Sequence, residues 1–277
     1  MGPDQANFDP ATVRAFEHAG WQKAASHYRA TFATATREFA GALLDAASIG
    51  PQMAVLDLCC GAGLIAGEAA ARAVVVTGLD FSPAMLAEAR AAHPALHFAE
   101  GDAEAMPFPD ASFDAVVSSF GIHHVPRPER ALSEAFRVLR PGGKLALTTW
   151  AAPADNIAWK LLFDAIRLHG DADAAQAPPS GGGISSEPVL LGLLRDAGFA
   201  APTAVLVRRE WRLTQPGDLI AALRRGTVRT AALIDAQRPA ALIAIGSEIA
   251  QRAAAYRTDG WYRIPIAAIL ARGTKPR

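Results

Sequence analysis

The stretch "VLDLCCGAGLIA" (residues 55–66) holds the pattern that decides the fold. The apolar run at 53–58 predicts a short buried strand, and Gly61 and Gly63 predict a tight turn that leads into a helix. A strand, a glycine turn and a helix in this order form the ligand-binding corner of a doubly wound α/β sheet. Because "GAGLIA" also fits the dinucleotide fingerprint, a nicotinamide or flavin cofactor is the first ligand to consider.

The first 150 residues continue this alternation of strands and helices. Further strands are predicted at 74–80, 96–102, 113–121 and 144–150, and helices between them at 64–73, 82–92 and 128–143. Ser82 as N-cap and Pro83 at the first helical position mark the start of one helix. Such alternation predicts right-handed βαβ units and a parallel sheet that binds its ligand beyond the carboxyl ends of the strands.

The flanking segments complete the prediction. We expect residues 1–50 to form an N-terminal helical segment that is part of a lid (helical over 8–48), 51–150 the ligand-binding core, and 151–277 the remainder of the sheet. In this last part the sequence predicts a loop at 171–186, a helix at 188–196, a strand at 203–213, a helical cap at 216–257 and a final strand at 261–273. The predicted fold is a Rossmann-like, doubly wound, mostly parallel seven-stranded sheet with N-terminal helices and a helical cap insertion before the last strand.

Composition excludes several classes of function. The chain has 277 residues, 51% of them hydrophobic, and its 27 Lys and Arg balance its 27 Asp and Glu, so nucleic acid and anionic membranes are not expected partners. Residues 1–10 lack the basic start and apolar run of a signal peptide, and no apolar run reaches the length of about 18 residues that predicts a membrane span. We therefore expect a cytoplasmic protein. Cys59 and Cys60 have no second Cys or His cluster at metal-ligand spacing, so no metal site is predicted.

Asp57 distinguishes between ligands at the glycine turn. In a dinucleotide site the turn and the helix N-terminus receive a pyrophosphate, which a carboxylate four residues before Gly61 would repel. A ligand that carries an ammonium group and a sulfonium would instead be attracted. S-adenosylmethionine carries both groups.

Two further strand ends fit an adenosine. Asp80 closes the second strand, 23 residues after Asp57, where a carboxylate can accept both hydroxyls of a ribose in either kind of cofactor. Asp102 and Ala103 follow the third strand, where a carboxylate can accept from the adenine amino group and an amide can donate to the ring.

Four ordered blocks resemble the class I S-adenosylmethionine-dependent methyltransferases, especially the small-molecule branch with the ubiquinone and menaquinone enzymes. The blocks are "VLDLCCGAG", "GLDFSPAMLAEAR", "GDAEAMPFPDASFD" and "EAFRVLRPGGKLALTTW", and together they span residues 53–150. Farther upstream, "WQKAASHY" is similar to an N-terminal helix of this branch, in which the residue that matches Tyr28 reaches the cofactor's carboxylate.

The resemblance implies a set of cofactor-binding residues. Asp57, Gly61 and Gly63 would surround the methionine moiety, with Cys59 standing where the family usually has glycine. Asp80 would hold the ribose. The remaining positions are Asp102 and Ala103 at the adenine, Phe81 and Met85 packed on its ring, Ser118 to Phe120 facing the amino acid end and the methyl group, and Tyr28 in the lid.

The chemistry implied is an in-line displacement that needs no nucleophilic side chain. A base is required only when the acceptor must lose a proton, and His123 and His124, directly after the fourth strand, are the candidates. The alternative is that this pair caps or packs the turn before Pro126. Trp150, Trp159, Trp211 and Trp261 are compatible with either an acceptor pocket or the core.

Three functions stay open at this point. The leading hypothesis is a methyltransferase that acts on a small organic molecule. The first alternative is an NAD(P)-dependent oxidoreductase, supported by "GAGLIA" and Asp80, and the second is a noncatalytic protein that binds S-adenosylmethionine or S-adenosylhomocysteine. RNA and protein acceptors rank lower, because "SSFG" stands where methyltransferases of planar amino nitrogens have "NPPY". A homodimer remains open.

Overall fold

The computed structural model describes residues 8–72, 74–175, 177–178, 184 and 186–277. Parts of three predicted segments therefore lie outside the described residues. They are residues 1–7 of the N-terminal segment, residue 73 of the helix at 64–73, and residues 176, 179–183 and 185 of the loop at 171–186.

One mixed sheet contains all the strands in the described residues. They are β1 (Ala54–Leu58), β2 (Val75–Asp80), β3 (His97–Glu100), β4 (Phe113–Ser119), β5 (Leu139–Trp150), β6 (Ala200–Leu213), β7 (Arg257–Thr258) and β8 (Trp261–Thr274). The strand order is β3-β2-β1-β4-β5-β8-β6, with β7 paired to β8. The first five strands are parallel, whereas β8 runs antiparallel to both β5 and β6. The predicted Rossmann-like, mostly parallel sheet is thereby confirmed.

Eleven α-helices are found in the part of the chain that the structure describes. They are α1 (Pro10–Tyr28), α2 (Ala33–Thr36), α3 (Ala40–Ala46), α4 (Leu64–Ala70), α5 (Pro83–Ala92), α6 (Pro128–Val138), α7 (Ile157–His169), α8 (Glu187–Asp196), α9 (Gly217–Gly226), α10 (Arg229–Asp235) and α11 (Pro239–Ala253). Short 3-10 turns follow at Arg37–Phe39, Ile122–His124 and Ala254–Tyr256. Ser82 caps α5 as predicted, because its side chain accepts from the Met85 amide.

The start of β5 and the number of strands differ from the sequence prediction. The strand β5 begins at Leu139 rather than at 144, because Pro141 cannot continue α6 and Leu139 already pairs with Phe113 of β4. An eighth strand, β7, has only two residues and forms a hairpin with the start of β8. The extra strand extends the predicted sheet without altering its order.

The predicted helical segment at 8–48 is divided into three helices. The chain turns after Tyr28, where the Thr31 amide donates to the Tyr28 carbonyl at 3.2 Å and the Thr31 hydroxyl donates to the His27 carbonyl at 2.7 Å. This turn directs Phe32 into an apolar cluster, with ring centroids 5.6 Å from Trp150. A straight helix would leave that aromatic side chain outside the cluster.

Helices cover both faces of the sheet. Val116 and Val117 of β4 point to opposite sides, and both are fully buried, Val116 against α6 residues such as Leu132 and Val117 against α3 residues such as Leu43. The helix α1 lies across the carboxyl end of the sheet and packs against α5 and α9. The region beyond β1, β2 and β4 is thereby enclosed.

In the described part of the chain, no helix combines the length and the apolar character that a membrane crossing needs. Over the same residues, no group of three or more His, Cys, Asp or Glu side chains is arranged to hold a metal ion.

Candidate active site at the carboxyl ends of the strands

A pocket opens beyond the carboxyl ends of β1, β2 and β4 and beneath α1. Its empty space is about 920 Å³, including the part that is open to solvent. The residues proposed from the sequence that line it are Tyr28, Asp57, Cys59, Gly61, Asp80, Phe81, Met85, Asp102, Ala103, Phe120 and His124. Gly63, Ser118 and His123 are not among its lining residues. Most of the predicted set therefore meets in one place.

The turn after β1 has an unusual backbone. Cys59, Gly61 and Gly63 have φ angles of +57°, +51° and +74°. A non-glycine residue in this region costs about 1 kcal/mol, so Cys59 adopts a backbone conformation that glycine, expected here from the family resemblance, would adopt more easily. A Cβ on Gly61 would have only the Met85 sulfur within 4 Å, so the pocket has room beside this residue. Gly63 is the N-cap of α4, and a Cβ there would instead crowd Ala89 and Phe98, at 3.1 Å each.

Asp57 is a buried carboxyl group at the pocket floor. Its side chain accepts a hydrogen bond of 2.8 Å from the Ala66 amide, in the first turn of α4. Burial is the main cause that raises the pKa of Asp57 to about 8; the Ala66 hydrogen bond acts against it, and the nearby Asp80 charge adds to it. A cationic ligand group beside Asp57 would reverse this shift.

Asp80 is the second buried carboxyl group of the pocket. One oxygen accepts from the Gly61 amide at 2.8 Å and the other from the Ser82 amide at 2.9 Å. Burial raises the pKa of Asp80, against the effect of these backbone donors. Among the described residues, neither Asp57 nor Asp80 has an ion-pair partner, whereas carboxylates at the surface of this protein commonly have one.

Asp102 and Ala103 lie at the opposite end of the pocket from Phe120. One Asp102 oxygen accepts from the Glu104 amide at 2.9 Å, and the other is ion-paired with Arg14 of α1. Arg14 also contacts the Glu104 carboxylate at 3.2 Å. Sequence reasoning missed Arg14, which joins the lid helix to the predicted adenine residue.

The side chains after β4 are divided between the pocket and the core. Phe120, with φ +54°, lines the pocket, and its ring stacks on Trp150 at 3.9 Å between centroids. Ser118 is fully buried behind the lining. Ser119 does line the pocket, and its buried hydroxyl has no hydrogen-bond partner in the described part of the chain.

The predicted core tryptophans form a second layer behind Phe120. The Trp150 and Trp159 rings are 4.5 Å apart, and the buried Trp211 donates to the Thr34 hydroxyl at 2.8 Å. Trp261 is 44% exposed on the far strand. None of the four lines the pocket, and Trp150, Trp159 and Trp211 support its wall from behind.

Helix α1 contributes a row of residues that were not predicted from the sequence. Arg14, Glu17 and Trp21 lie three or four residues apart on the helix face that ends at Tyr28. Arg14 and Trp21 line the pocket, Trp21 packs on Tyr28 with ring centroids 5.8 Å apart, and Glu17 binds His124 from behind. Counting back from Tyr28 in helical steps would have found this row.

The two histidines have different surroundings. His124 lines the pocket, and its Nδ1 lies 2.9 Å from the Glu17 carboxylate. The Nδ1 of His123 is buried and has no hydrogen-bond partner among the described residues. Burial lowers the pKa of His123 well below its ordinary value, and the charges of His124 and Arg229 lower it further.

His123 should make the protein less stable in mild acid. Its pKa is depressed in the folded state, so its contribution is present above the ordinary pKa of 6.5 and is lost as the pH falls toward the folded value. We expect His123→Gln to lessen the fall in Tm between pH 7.5 and 5.5 by about 2–4 °C, which corresponds to about 1 kcal/mol. The matched control is His97→Gln on the exposed end of β3. Equal pH profiles for His123→Gln and the wild type would refute this assignment.

A doubly wound sheet with a glycine turn after β1 and acidic residues ending β1 and β2 defines a class of enzymes that bind a nucleoside-containing cofactor at this edge. Residues 56–147 match the family described as "Methyltransferase domain". This match across about a third of the chain, together with the demethylmenaquinone methyltransferases to which the chain is similar, confirms the resemblance to class I S-adenosylmethionine-dependent methyltransferases of the menaquinone type.

Individual relatives agree with this family. The demethylmenaquinone methyltransferase of Renibacterium salmoninarum is 41% identical over 118 residues, which are 43% of this chain and 50% of the relative. The chain spans about half the length of the curated relatives it matches.

Solved structures share the fold. The YcgJ protein of Bacillus subtilis is 20% identical with a TM-score of 0.56, over 86% of this chain and 98% of the other. The phosphoethanolamine N-methyltransferase 2 of Haemonchus contortus, in complex with phosphomonomethylethanolamine and S-adenosylhomocysteine, is 19% identical with a TM-score of 0.53, over 86% of this chain and 52% of that one.

Proposed function

We propose that this protein transfers the methyl group of S-adenosylmethionine to a small organic molecule. The observation that carries the proposal is the pair of buried carboxyl groups, Asp57 and Asp80, which face one pocket and have no cationic partner among the described residues. Such a pair is costly in the ligand-free protein. An ammonium group beside Asp57 and ribose hydroxyls on Asp80 would offset that cost.

The donor set fits S-adenosylmethionine better than a dinucleotide. An ionised Asp57 would repel a pyrophosphate, which is also an anion, whereas it would attract an ammonium or a sulfonium group. The open space beside Gly61 leaves room for a ligand next to the backbone, and the unpartnered Ser119 hydroxyl supplies a further polar contact. In this assignment Asp102 and Ala103 hold the adenine.

The remaining predicted residues complete the proposed cofactor site. Phe81 and Met85 line the pocket, and Met85 is buried against Trp21 and Tyr28 of the lid helix. Bound S-adenosylmethionine supplies a methyl group on a sulfonium, which is a good leaving group. The protein's own task is to align the acceptor with that methyl and to exclude water.

Helix α1 and the turn after β4 suit this task. Trp21 and Tyr28 cover the pocket from α1, and Gln22 fastens that helix to α5 by accepting from the Ser82 hydroxyl and the Ala84 amide, both at 2.8 Å. Phe120 and Val125 supply apolar wall on the other side. The aromatic and apolar lining favours a small organic acceptor over a polymeric one.

The helical cap at 216–257 does not contact the pocket directly. None of the lining residues belongs to 216–257, and the cap reaches the pocket through Arg229, which binds Glu17 behind His124. The segments 1–50, 51–150 and 151–277 remain our division of the chain. The names of the bacterial relatives support an acceptor of the size of demethylmenaquinone.

Calorimetric titration with S-adenosylhomocysteine, run beside NAD, tests the cofactor. We expect saturable binding of the thioether and no heat with NAD, since the site has no cationic group beside Asp57 to receive a pyrophosphate and an ionised Asp57 would repel it. Binding of NAD without S-adenosylhomocysteine would overturn the proposal. A panel of phenols, quinols, thiols and amines with S-adenosylmethionine then tests catalysis through S-adenosylhomocysteine formation, and binding with no turnover on any of them would favour a noncatalytic protein.

A further inference from the structure

Glu17 is a buried carboxylate that joins three elements. One oxygen lies 2.9 Å from His124 Nδ1 in the turn after β4, and the other accepts from Arg229 Nε of α10 at 2.7 Å. Its side chain is 1% exposed, so the charge is stable there only because it is paired. Burial acts to raise the pKa of Glu17, but His124 and Arg229 outweigh it and hold the pKa below its ordinary value.

The ion pair dictates where the imidazole proton sits. An ionised carboxylate only accepts hydrogen bonds, so His124 must donate to Glu17 from Nδ1. A neutral imidazole protonated at Nδ1 leaves Nε2 with a free electron pair. No described residue hydrogen-bonds this Nε2, and Trp21, perpendicular to the ring at 4.9 Å between centroids, fixes the ring plane.

We infer that Glu17 is a positioning residue that holds His124 in the Nδ1–H tautomer, so that Nε2 takes a proton from the methyl acceptor. This inference rests on the proposed function and deepens it. It selects acceptors with a removable proton, such as a hydroxyl or a thiol, over tertiary amines, which have none.

The proton and electron pairs balance in this step. The acceptor's X–H proton goes to Nε2 of His124, and X keeps the electron pair with which it bonds the methyl carbon. The bond from that carbon to sulfur breaks with its pair on sulfur. The resulting imidazolium lies against the Glu17 carboxylate and later returns its proton to solvent.

Arg229 supports the pair from the cap. Its guanidinium also donates to the Pro178 carbonyl at 2.6 Å and lies over the Phe16 ring at 5.5 Å. The charged and titratable groups that face His124 are therefore Glu17 of α1, Arg229 of α10, the adjacent His123 with its ring 4.1 Å away, and Asp80 at the end of β2.

The tautomer can be measured without any acceptor. We expect two-bond proton–nitrogen correlation spectra of uniformly ¹⁵N-labelled protein at pH 8 to show His124 protonated at Nδ1 and bare at Nε2. The chain has seven histidines, so loss of one set of signals in His124→Asn identifies the residue. A wild-type His124 protonated at Nε2 would overturn the inference. This measurement on the wild-type protein does not depend on whether a Glu17 variant folds.

Glu17→Gln then tests the cause. A glutamine can donate as well as accept, so the Nδ1–H tautomer is no longer enforced and we expect the Nε2–H form to rise severalfold. The matched control is Glu248→Gln, because Glu248 also joins a histidine, His169 at 3.4 Å, and an arginine, Arg252 at 2.5 Å, on the far side of the cap. An unchanged His124 tautomer in Glu17→Gln, or the same change in Glu248→Gln, would contradict the positioning role.

Titration with S-adenosylhomocysteine distinguishes a failure of the proposed function from a failure of the inference about Glu17. Glu17 does not line the pocket, so Glu17→Gln should bind within about twofold of wild type. If the wild type does not bind, the proposed function fails, whereas normal binding with the wrong tautomer refutes only the role of Glu17. With an acceptor found in the panel, His124→Asn should lower kcat by about 10²-fold or more. An unchanged kcat would contradict His124 as the base.

Discussion

Asp80→Ala should abolish measurable binding of S-adenosylhomocysteine, with an affinity loss of about 100-fold or more. Hydrogen bonds to a charged acceptor contribute about 1.5–3 kcal/mol each, and the carboxylate is placed to accept two ribose hydroxyls. The same carboxylate accepts from the amides of Gly61 and Ser82, so its loss also loosens the glycine turn. Isothermal calorimetry at 25 °C measures the effect.

The control for this prediction is Asp114→Asn. Asp114 also accepts from a backbone amide, that of Ala54 in β1 at 2.8 Å, and it pairs with Arg140 at 2.7 Å, but it lies at the amino end of β4. We expect its binding curve to match the wild type. If Asp80→Ala binds as tightly as Asp114→Asn, the ribose assignment is wrong.

Asp57→Asn should weaken binding and yet stabilise the ligand-free protein in alkali. The pKa of Asp57 is raised to about 8 by burial, so its contribution to stability is fully present below the unfolded pKa of 3.8 and is lost as the pH rises through about 8. Asparagine keeps an acceptor for the Ala66 amide and never ionises. The variant's advantage in the free energy of unfolding, followed through Tm, should therefore grow from pH 6 to about pH 8, by at most about 1.4 kcal/mol per pH unit, and level off above that pH.

The affinity for S-adenosylhomocysteine should rise with pH, whereas the contribution of Asp57 to the stability of the ligand-free protein falls. The ligand's ammonium needs an ionised Asp57, so wild-type affinity for S-adenosylhomocysteine should rise between pH 6.5 and 8, by up to about tenfold per unit, with release of a proton. We expect a flat and weak profile for Asp57→Asn, and a wild-type profile for Asp45→Asn, which removes a surface carboxylate paired with Arg72. A flat wild-type profile would show that Asp57 does not meet a cation.

Much of the cofactor pocket could be predicted from the sequence because its parts are local. The strand before Asp57, the glycine turn and the helix that begins at Leu64 follow one another directly in the chain. Asp80 is the last residue of β2, and parallel strands present their carboxyl ends at the same edge of a sheet. The alternation of strands and helices was therefore enough to predict that both carboxylates lie at one edge of the sheet.

The different environments of His123 and His124 could not be predicted from local sequence patterns. Both residues follow β4 in one 3-10 turn, and only packing decides that His124 lines the pocket while the Nδ1 of His123 is buried. Likewise, the periodicity of 8–48 predicted helix but not the turn at Thr31, which depends on the burial of Phe32 among aromatic residues from β5, α7 and β6.

By itself, the sequence determined the alternation of parallel strands with helices, the glycine turn and the carboxylates at the strand ends, since these depend on neighbours in the chain and on the topology of βαβ units. Tertiary structure alone decided which partners the residues of α1 contact. Arg14 contacts Asp102 across 88 positions, and Glu17 contacts His124 and Arg229 across 107 and 212. No hydrophobic period encodes such contacts, because they arise only when the packed sheet brings α1, the turn after β4 and the cap together.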